Sequence, residues 1–527
     1  MKKMLYVLII IIVVLAIIFL IRGFRPANQS LEQKHVTKTE NPVILLIIDS
    51  LMAEPLQNAI KEGRAPALKY LTDQGHYYPN IISSYPTMSV TIDSSLLTGT
   101  YSDKHRIPGL VWYDEKEKRL VNYGSAKEEV LKLGIKHVIE DSFYHLNHSH
   151  LSRDVKTIHE ILAIKGLESA SINALVYRGN EKQQLKLSKL LSKLDMMPES
   201  LQIETPALFS YGALAQFSPV NNQNTQLWER YGFNDKFTAQ ELKYLIQNGK
   251  LPAFTIAYFP DLDKNVHEKG PMNHIDSIEK TDKQIQEVLN AYESWEEALQ
   301  SAIWIVMGDS GQANVGQDKT NSFIHLNEML ESHYKIYNIA EPVKGDDQIV
   351  IGHNERMAFI YNLDPNIKLE EIASHLQQDD RMNWIAWKSG PNVHVAASGH
   401  KEKLTFRPNG DFKDQYGQSW LVNGDYSILD LSLTNHQIEY GTYPDALARL
   451  HSSLHSHSGN YLVVDAKPGF EFAGDGTPVH PGGAAHGSMH KQDSLIPMIV
   501  TGTETKPKHL RIVDLYPWIM KLAKKGE

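Results

Sequence analysis

Six consecutive apolar residues, Val43-Ile44-Leu45-Leu46-Ile47-Ile48, run straight into a carboxylate, Asp49. A short run rich in β-branched residues, with no polar alternation, is the pattern of a strand buried on both faces. Such a strand needs helices above and below it. Comparable runs occur at Ile81–Tyr85, Ala170–Val176, Ala253–Tyr258, Ile303–Met307 and Ile496–Val500. Helical periodicity fills the intervals, at Ala53–Leu71, Val90–Leu97 (closed by Gly99), Thr157–Ile164, Ile275–Tyr292 and Leu510–Ala523. The alternation predicts an α/β fold: a central, mostly parallel sheet with helices on both faces. Residues 347–430 differ, being rich in Gly, Asn, Asp and aromatics with short alternating runs such as Lys403–Phe406 and Ser419–Val422. They read as a β-leaning insertion or cap within one domain spanning 42–527.

Composition narrows the chemistry. The 527 residues are 42% hydrophobic and 22% charged, an ordinary globular balance with ample length for a large core. A net charge of -9 argues against a nucleic-acid-binding surface. Cysteine is absent, which excludes disulfides, thiolate metal sites and a Cys nucleophile. Any metal must be held by imidazole and carboxylate, and there are 24 His and 62 acidic residues to supply them. At the N-terminus, Lys2-Lys3 precedes an uncharged apolar run from Leu5 to Ile21, followed by Arg22 and Arg25. In a helix that run spans roughly 26 Å, and no small-residue cleavage site follows it. The expectation is an uncleaved transmembrane anchor over 1–24, a polar tether over 25–41, and a single-pass membrane protein with its large domain on the extracytoplasmic side.

In open α/β sheets, ligands gather beyond the carboxyl ends of the strands. Asp49 follows the 43–48 run, Asp261 and Asp263 follow Phe254–Phe259, and Asp309 follows Ile303–Met307. A single Asp at such a place is an ordinary turn or cap residue. Several clustered at one sheet edge repel unless cations neutralise them. Asp263 and His267 are four apart, so one helical turn would set both on one face around an ion. Ser89, in Pro86-Thr87-Met88-Ser89, stands at or near a helix start, where free amides attract phosphate. A metal on its oxygen would turn it into a nucleophile. The alternative is that Ser89 or Thr87 is only the N-cap. Near the C-terminus, Gly482-Gly483-Ala484-Ala485-His486-Gly487-Ser488 precedes an apolar strand, and His480 and His490 flank it. Its small residues would let backbone approach a ligand or metal closely.

Taken in order, these pieces resemble the alkaline phosphatase superfamily, closest to its type I phosphodiesterase/nucleotide pyrophosphatase branch. The resemblance rests on Ile47-Ile48-Asp49, on Pro86-Thr87-Met88-Ser89 through Thr98-Gly99, and on His105-Arg106-Ile107-Pro108-Gly109. It continues through Asp263, His267, Gly270 and Pro271, then His486-Gly487 and Asp514-Leu515-Tyr516-Pro517. It implies a Ser89 nucleophile and two divalent ions, zinc in the first instance. Asp263, His267 and His486 would hold one ion. Asp49, Asp309, Ser310 and Ser89 would hold the other. The implied reaction is hydrolysis of a phosphate ester, a phosphodiester or pyrophosphate, in a small nucleotide-like substrate through a phosphorylated Ser89.

Two positions depart from the family pattern. Ser310 stands where the family has His, and a hydroxyl is a poorer zinc ligand, which favours Mn or Mg there or an empty site. Leu110 stands where the phosphodiesterase branch has an Asn that contacts the phosphoryl oxygen. Losing one such donor costs on the order of 3 kcal/mol of transition-state stabilisation. Arg106 or a residue of the insertion is the candidate replacement. Two alternatives follow from these departures: a catalytically impaired protein that binds a ligand or partner, or a transferase of phospho-headgroups.

Overall fold

The computed structural model describes residues 27–37, 39–186 and 200–524. Its centre is a seven-stranded sheet in the order His76–Ile82, Leu495–Thr501, Ile303–Gly308, Val43–Ile48, Phe254–Phe259, Ser169–Ile172, Leu208–Ser210. Val43–Ile48 pairs in parallel with a strand on each side, and only Leu495–Thr501 runs against its neighbours. Every residue of Val43–Ile48, Phe254–Phe259 and Ile303–Gly308 is buried. Because successive side chains alternate faces, Val43, Leu45 and Ile47 join one apolar core while Ile44, Leu46 and Ile48 join another on the opposite side. The mostly parallel α/β sheet expected from the apolar runs is therefore present.

Local chemistry moves several boundaries. The expected helix over Ala53–Leu71 is two helices, Ala53–Lys61 and Pro66–Asp73. Gly63 at φ +72° turns the chain between them, and Pro66 occupies the first turn of the second helix, where its missing N–H costs nothing. Helix Ile158–Ile164 opens with a capping box, Thr157 and Glu160 satisfying each other's backbone amides.

A second, nine-stranded sheet runs from Ile349 to Ala466 and is almost wholly antiparallel. Tyr461–Ala466 lies in its interior, between Met357–Asn362 and Met382–Ser389, although it follows the β-leaning stretch in sequence. The hairpin Ile349–Asn354/Met357–Asn362 turns at Glu355-Arg356, and this tip packs against the His486 loop. Arg356 is fully buried and paired with the equally buried Asp493. The Asn354 side chain accepts from the amides of Leu110 (2.7 Å) and Val111 (3.1 Å).

The membrane expectation is corrected here. Among the described residues no helix is long and apolar enough to cross a membrane. A span needs about 20 apolar residues. The longest described helix, Ile275–Leu289, has 15 residues and carries Asp276, Glu279, Lys280, Asp282, Lys283 and Glu287. The expected anchor over 1–24 lies outside the described residues, and the single-pass location that depended on it is withdrawn.

Candidate active site

Strand register sets the first carboxylates. Ile48 pairs with both Gly308 and Phe259. Asp49 and Asp309 are therefore each the next residue out, side by side at the carboxyl edge of the sheet. The Tyr258 hydroxyl ties them, donating to Asp49 Oδ2 at 2.7 Å and reaching Asp309 Oδ2 at 3.4 Å. Asp309 is almost fully buried, and its Oδ1 accepts from the amides of Ser50 (2.9 Å) and Ser310 (2.7 Å). Burial first, and then Asp309 and Asp263, hold the Asp49 carboxyl well above its usual range. Burial likewise raises Asp309 against hydrogen bonds from Ser50 and Ser89.

The third strand leads into helix Asp261–Lys269, which carries Asp263 and His267 one turn apart. His267 Nε2 lies 3.2 Å from Asp263 Oδ1. Its Nδ1 faces the Ala484 carbonyl at 2.8 Å, and His486 Nδ1 faces the Thr87 carbonyl at 2.5 Å. A carbonyl only accepts, so each Nδ1 carries a proton and each Nε2 is the atom turned toward the carboxylates, where an ion would replace a proton. Asp263, His267 and His486 present ligand atoms within 4.8 Å of one another. Burial alone would raise Asp263, but His267 and His486 hold its carboxyl well below the usual range. Against the effect of burial, Asp263 and Glu355 push His267 up to about 10. The cluster thus demands positive charge, and the donor chemistry fits a divalent ion: carboxylate oxygen with two imidazoles whose tautomers are fixed from behind.

Ser89 is the first residue of helix Ser89–Thr98, whose N-cap is Met88 and makes no side-chain cap bond. Ser89 is within hydrogen-bonding reach of Asp309 and Tyr258. Thr87 has a different task. Its hydroxyl accepts from Gly487 N at 2.7 Å, latching the His486 loop. Every residue of the helix after Ser89 is buried, and Ser94, Ser95 and Thr98 each return a hydrogen bond to the carbonyl four residues back. The small residues near His486 let backbone approach backbone rather than a ligand. A Cβ on Gly483 would lie 1.8 Å from the His267 carbonyl, and one on Gly487 2.3 Å from the Asn354 carbonyl.

Asp49, Ser89, Asp263, His267 and His486 line one cleft of about 700 Å³. Asp309 and Ser310 lie behind them. Ser310 is fully buried and its hydroxyl has no partner. Ser310 directly follows Asp309, and its orphaned buried hydroxyl fits a ligand to an ion at Asp49–Asp309. Leu110 lines the cleft. Arg106 does not replace its missing donor: its guanidinium is spent on the carbonyls of His455 (2.7 Å) and Ser456 (3.3 Å). His105 is buried against Ser95 and the Ile107 amide, and His490 caps the turn at Lys491–Ser494.

Sequence reasoning missed three neighbours. Asp93 is buried one turn below Ser89, with its carboxyl raised first by burial and then by Asp309. The four-residue spacing from Ser89 was a usable signal. Glu355 reaches the site from the second sheet, where no sequence pattern marked it. His480 was visible only as a flanking residue, yet it stacks on His267 with ring centroids 4.2 Å apart.

The comparisons with known proteins fall on the same architecture. Residues 43–489 match the family model described as Type I phosphodiesterase / nucleotide pyrophosphatase. No curated protein matches significantly by sequence. Human ectonucleotide pyrophosphatase / phosphodiesterase 5 is similar in structure, with a TM-score of 0.55 and 12% identity over 92% of this chain and 95% of its own. Its murine counterpart, solved in complex with AMP, has a TM-score of 0.54 and 13% identity over 92% and 95%. Phosphonoacetate hydrolase from Sinorhizobium meliloti 1021, in complex with phosphonoacetate, has a TM-score of 0.55 and 14% identity over 94% and 99%. At these identities the likenesses speak to the fold.

Proposed function

The chain belongs to the type I phosphodiesterase / nucleotide pyrophosphatase family and is a phosphoric ester hydrolase, and from that premise we propose that it cleaves a phosphodiester or pyrophosphate by attack of Ser89 on phosphorus. One observation carries the metal dependence. Among the described residues that line the cleft there is no Lys or Arg. A phosphate ester brings negative charge, and the wall offers only carboxylates, neutral groups and imidazoles to meet it. Cations held by Asp263, His267 and His486, and by Asp49, Asp309 and Ser310, would supply the missing positive charge and stabilise the attacking and leaving oxygens.

The chain's own groups then have distinct tasks. Ser89 forms the bond to phosphorus as the bond from phosphorus to the leaving oxygen breaks. Asp309 and Tyr258 lie within hydrogen-bonding reach of the hydroxyl and orient it, and its proton leaves with the departing oxygen. Tyr258 holds Asp49 and Asp309 in register. The helix N-terminus at Ser89 and Val90 favours phosphoryl oxygens at the same spot. Water then cleaves the phosphorylated Ser89, releasing a phosphate monoester and restoring the hydroxyl. Phe143, Leu175, Tyr211 and Phe233 form an apolar wall that suits an organic group with a flat or hydrocarbon face. Residues 42–527 act as one catalytic unit in this reading, with the second sheet contributing the Glu355 turn.

The test is metal content by mass spectrometry together with hydrolysis of bis-p-nitrophenyl phosphate on the same preparation. Two equivalents of metal and chelator-sensitive turnover are expected. No turnover after reconstitution with zinc or manganese would overturn the reading and leave a binding role.

A further inference from the structure

Glu355 and His480 lie on the far side of the Asp263–His267–His486 cluster, and the proposed reaction gives them no task. Each has an unusual placement. Glu355 sits at φ +57°, a left-handed conformation costly for a residue with a Cβ. The turn is pinned in it: the Phe472 amide binds the Glu355 carbonyl (2.8 Å), the Arg356 amide binds the His486 carbonyl (2.9 Å), and the Arg356 side chain is locked to Asp493. The carboxylate so placed faces both imidazoles, Oε1 at 3.9 Å from His267 Nε2 and Oε2 at 3.9 Å from His486 Nε2. His480 is held just as firmly. Its amide and its Nδ1 both bind the carboxylate of fully buried Glu471, at 2.5 and 3.0 Å. That carboxylate fixes the proton on Nδ1 and leaves Nε2 as the free ligand atom, the arrangement that orients metal-bound histidines. His267, Glu355 and His480 present ligand atoms within 4.8 Å of one another, a second trio that shares His267 with the first.

We propose that Glu355 and His480 are further ligands of the ion held by Asp263, His267 and His486. Two donors about 2.0–2.2 Å from one ion lie roughly 3 Å apart when adjacent and about 4 Å apart when opposed. Glu355, 3.9 Å from both His267 Nε2 and His486 Nε2, falls within that interval. Charge closes as well: two carboxylates, three neutral imidazoles and one divalent cation sum to zero. The neighbouring position at Asp49 and Asp309 has only hydroxyls from Ser89 and Ser310 to add. His267 thus stands between two trios of carboxylate and imidazole donors, and the ion held there is bound more tightly than one at Asp49 and Asp309. This rests on the cation-dependent reading above.

The test uses the full chain stripped of metal. Zinc affinity is measured by competition with a chromophoric chelator for wild type, E355Q, H480A and, as a control outside the cluster, H490A. Gln at 355 keeps an acceptor for the His486 amide, and the thermal midpoints of the metal-free proteins check that each variant is folded. E355Q and H480A are expected to weaken the tight zinc by about 10- to 100-fold or more, with H490A unchanged. With one equivalent of cobalt(II), wild type is expected to show the weak visible bands of five- or six-coordination. Intense four-coordinate bands in wild type, or unchanged zinc affinity in both variants, would overturn this inference and leave the hydrolase reading standing. A wild type that binds no metal and turns nothing over would overturn both.

Discussion

Asp235 offers a sharp test of how the metal-bearing helix is anchored. It opens helix Asp235–Gln247, and its carboxylate is buried. Oδ1 accepts from the amide of Asp261, the first residue of the helix that carries Asp263 and His267, while Oδ2 accepts from the Thr281 hydroxyl. Burial pushes this carboxyl up to about 7 from an ordinary 3.8, opposed by Thr281 and by Arg230. A raised carboxyl pKa means that the folded state holds the proton more tightly than the unfolded state. Its stabilising contribution is complete below about pH 4 and is lost as pH rises to about 7. A rise of that size corresponds to about 4 kcal/mol. Asp235→Asn cannot ionise, and its amide oxygen still accepts from Asp261. The difference in unfolding free energy between variant and wild type should therefore move in the variant's favour by about 4 kcal/mol between pH 4 and pH 7.5, and stay flat above. Urea unfolding of the metal-free proteins, followed by Trp fluorescence across that range, measures it. A difference that stays within about 1 kcal/mol from pH 4 to 7.5 would refute the argument that burial dominates at this site.

Ser89→Ala should abolish turnover and remove any phosphorylated intermediate seen by intact mass. Full activity in that variant would sink the nucleophile assignment. Ser310→Ala removes a buried hydroxyl that has no partner, so metal-free stability should change by less than about 1 kcal/mol while the looser of two manganese ions weakens further; unchanged manganese binding would place Ser310 away from the ion. Arg356→Met strands Asp493 in the interior and should cost about 3–5 kcal/mol by chemical denaturation. A cost below about 1 kcal/mol would mean the hairpin tip is not held by this pair.

The sequence alone determined the sheet, because an unbroken apolar run ending in Asp is stable only between two layers of helix. Val43–Ile48, Phe254–Phe259 and Ile303–Gly308 were legible for that reason, and the carboxylates at their ends came with them. Local spacing was equally legible where one helical turn does the work, as for Asp263 and His267. The helix break at Gly63 lay within reach of the same logic and was overlooked beneath a continuous apolar period. Tertiary structure decided what depends on register and on distant chain. The pairing of Ile48 with Gly308 and Phe259 aligns Asp49 with Asp309, two residues far apart in sequence. Glu355 enters through a hairpin of another sheet, at a backbone angle that its residue type gives no reason to expect. His480 joins His267 only because buried Glu471 turns its ring toward the cluster. Periodicity reports which face of a segment is buried. It carries no information about which distant segment lies opposite, and this site is assembled from such meetings.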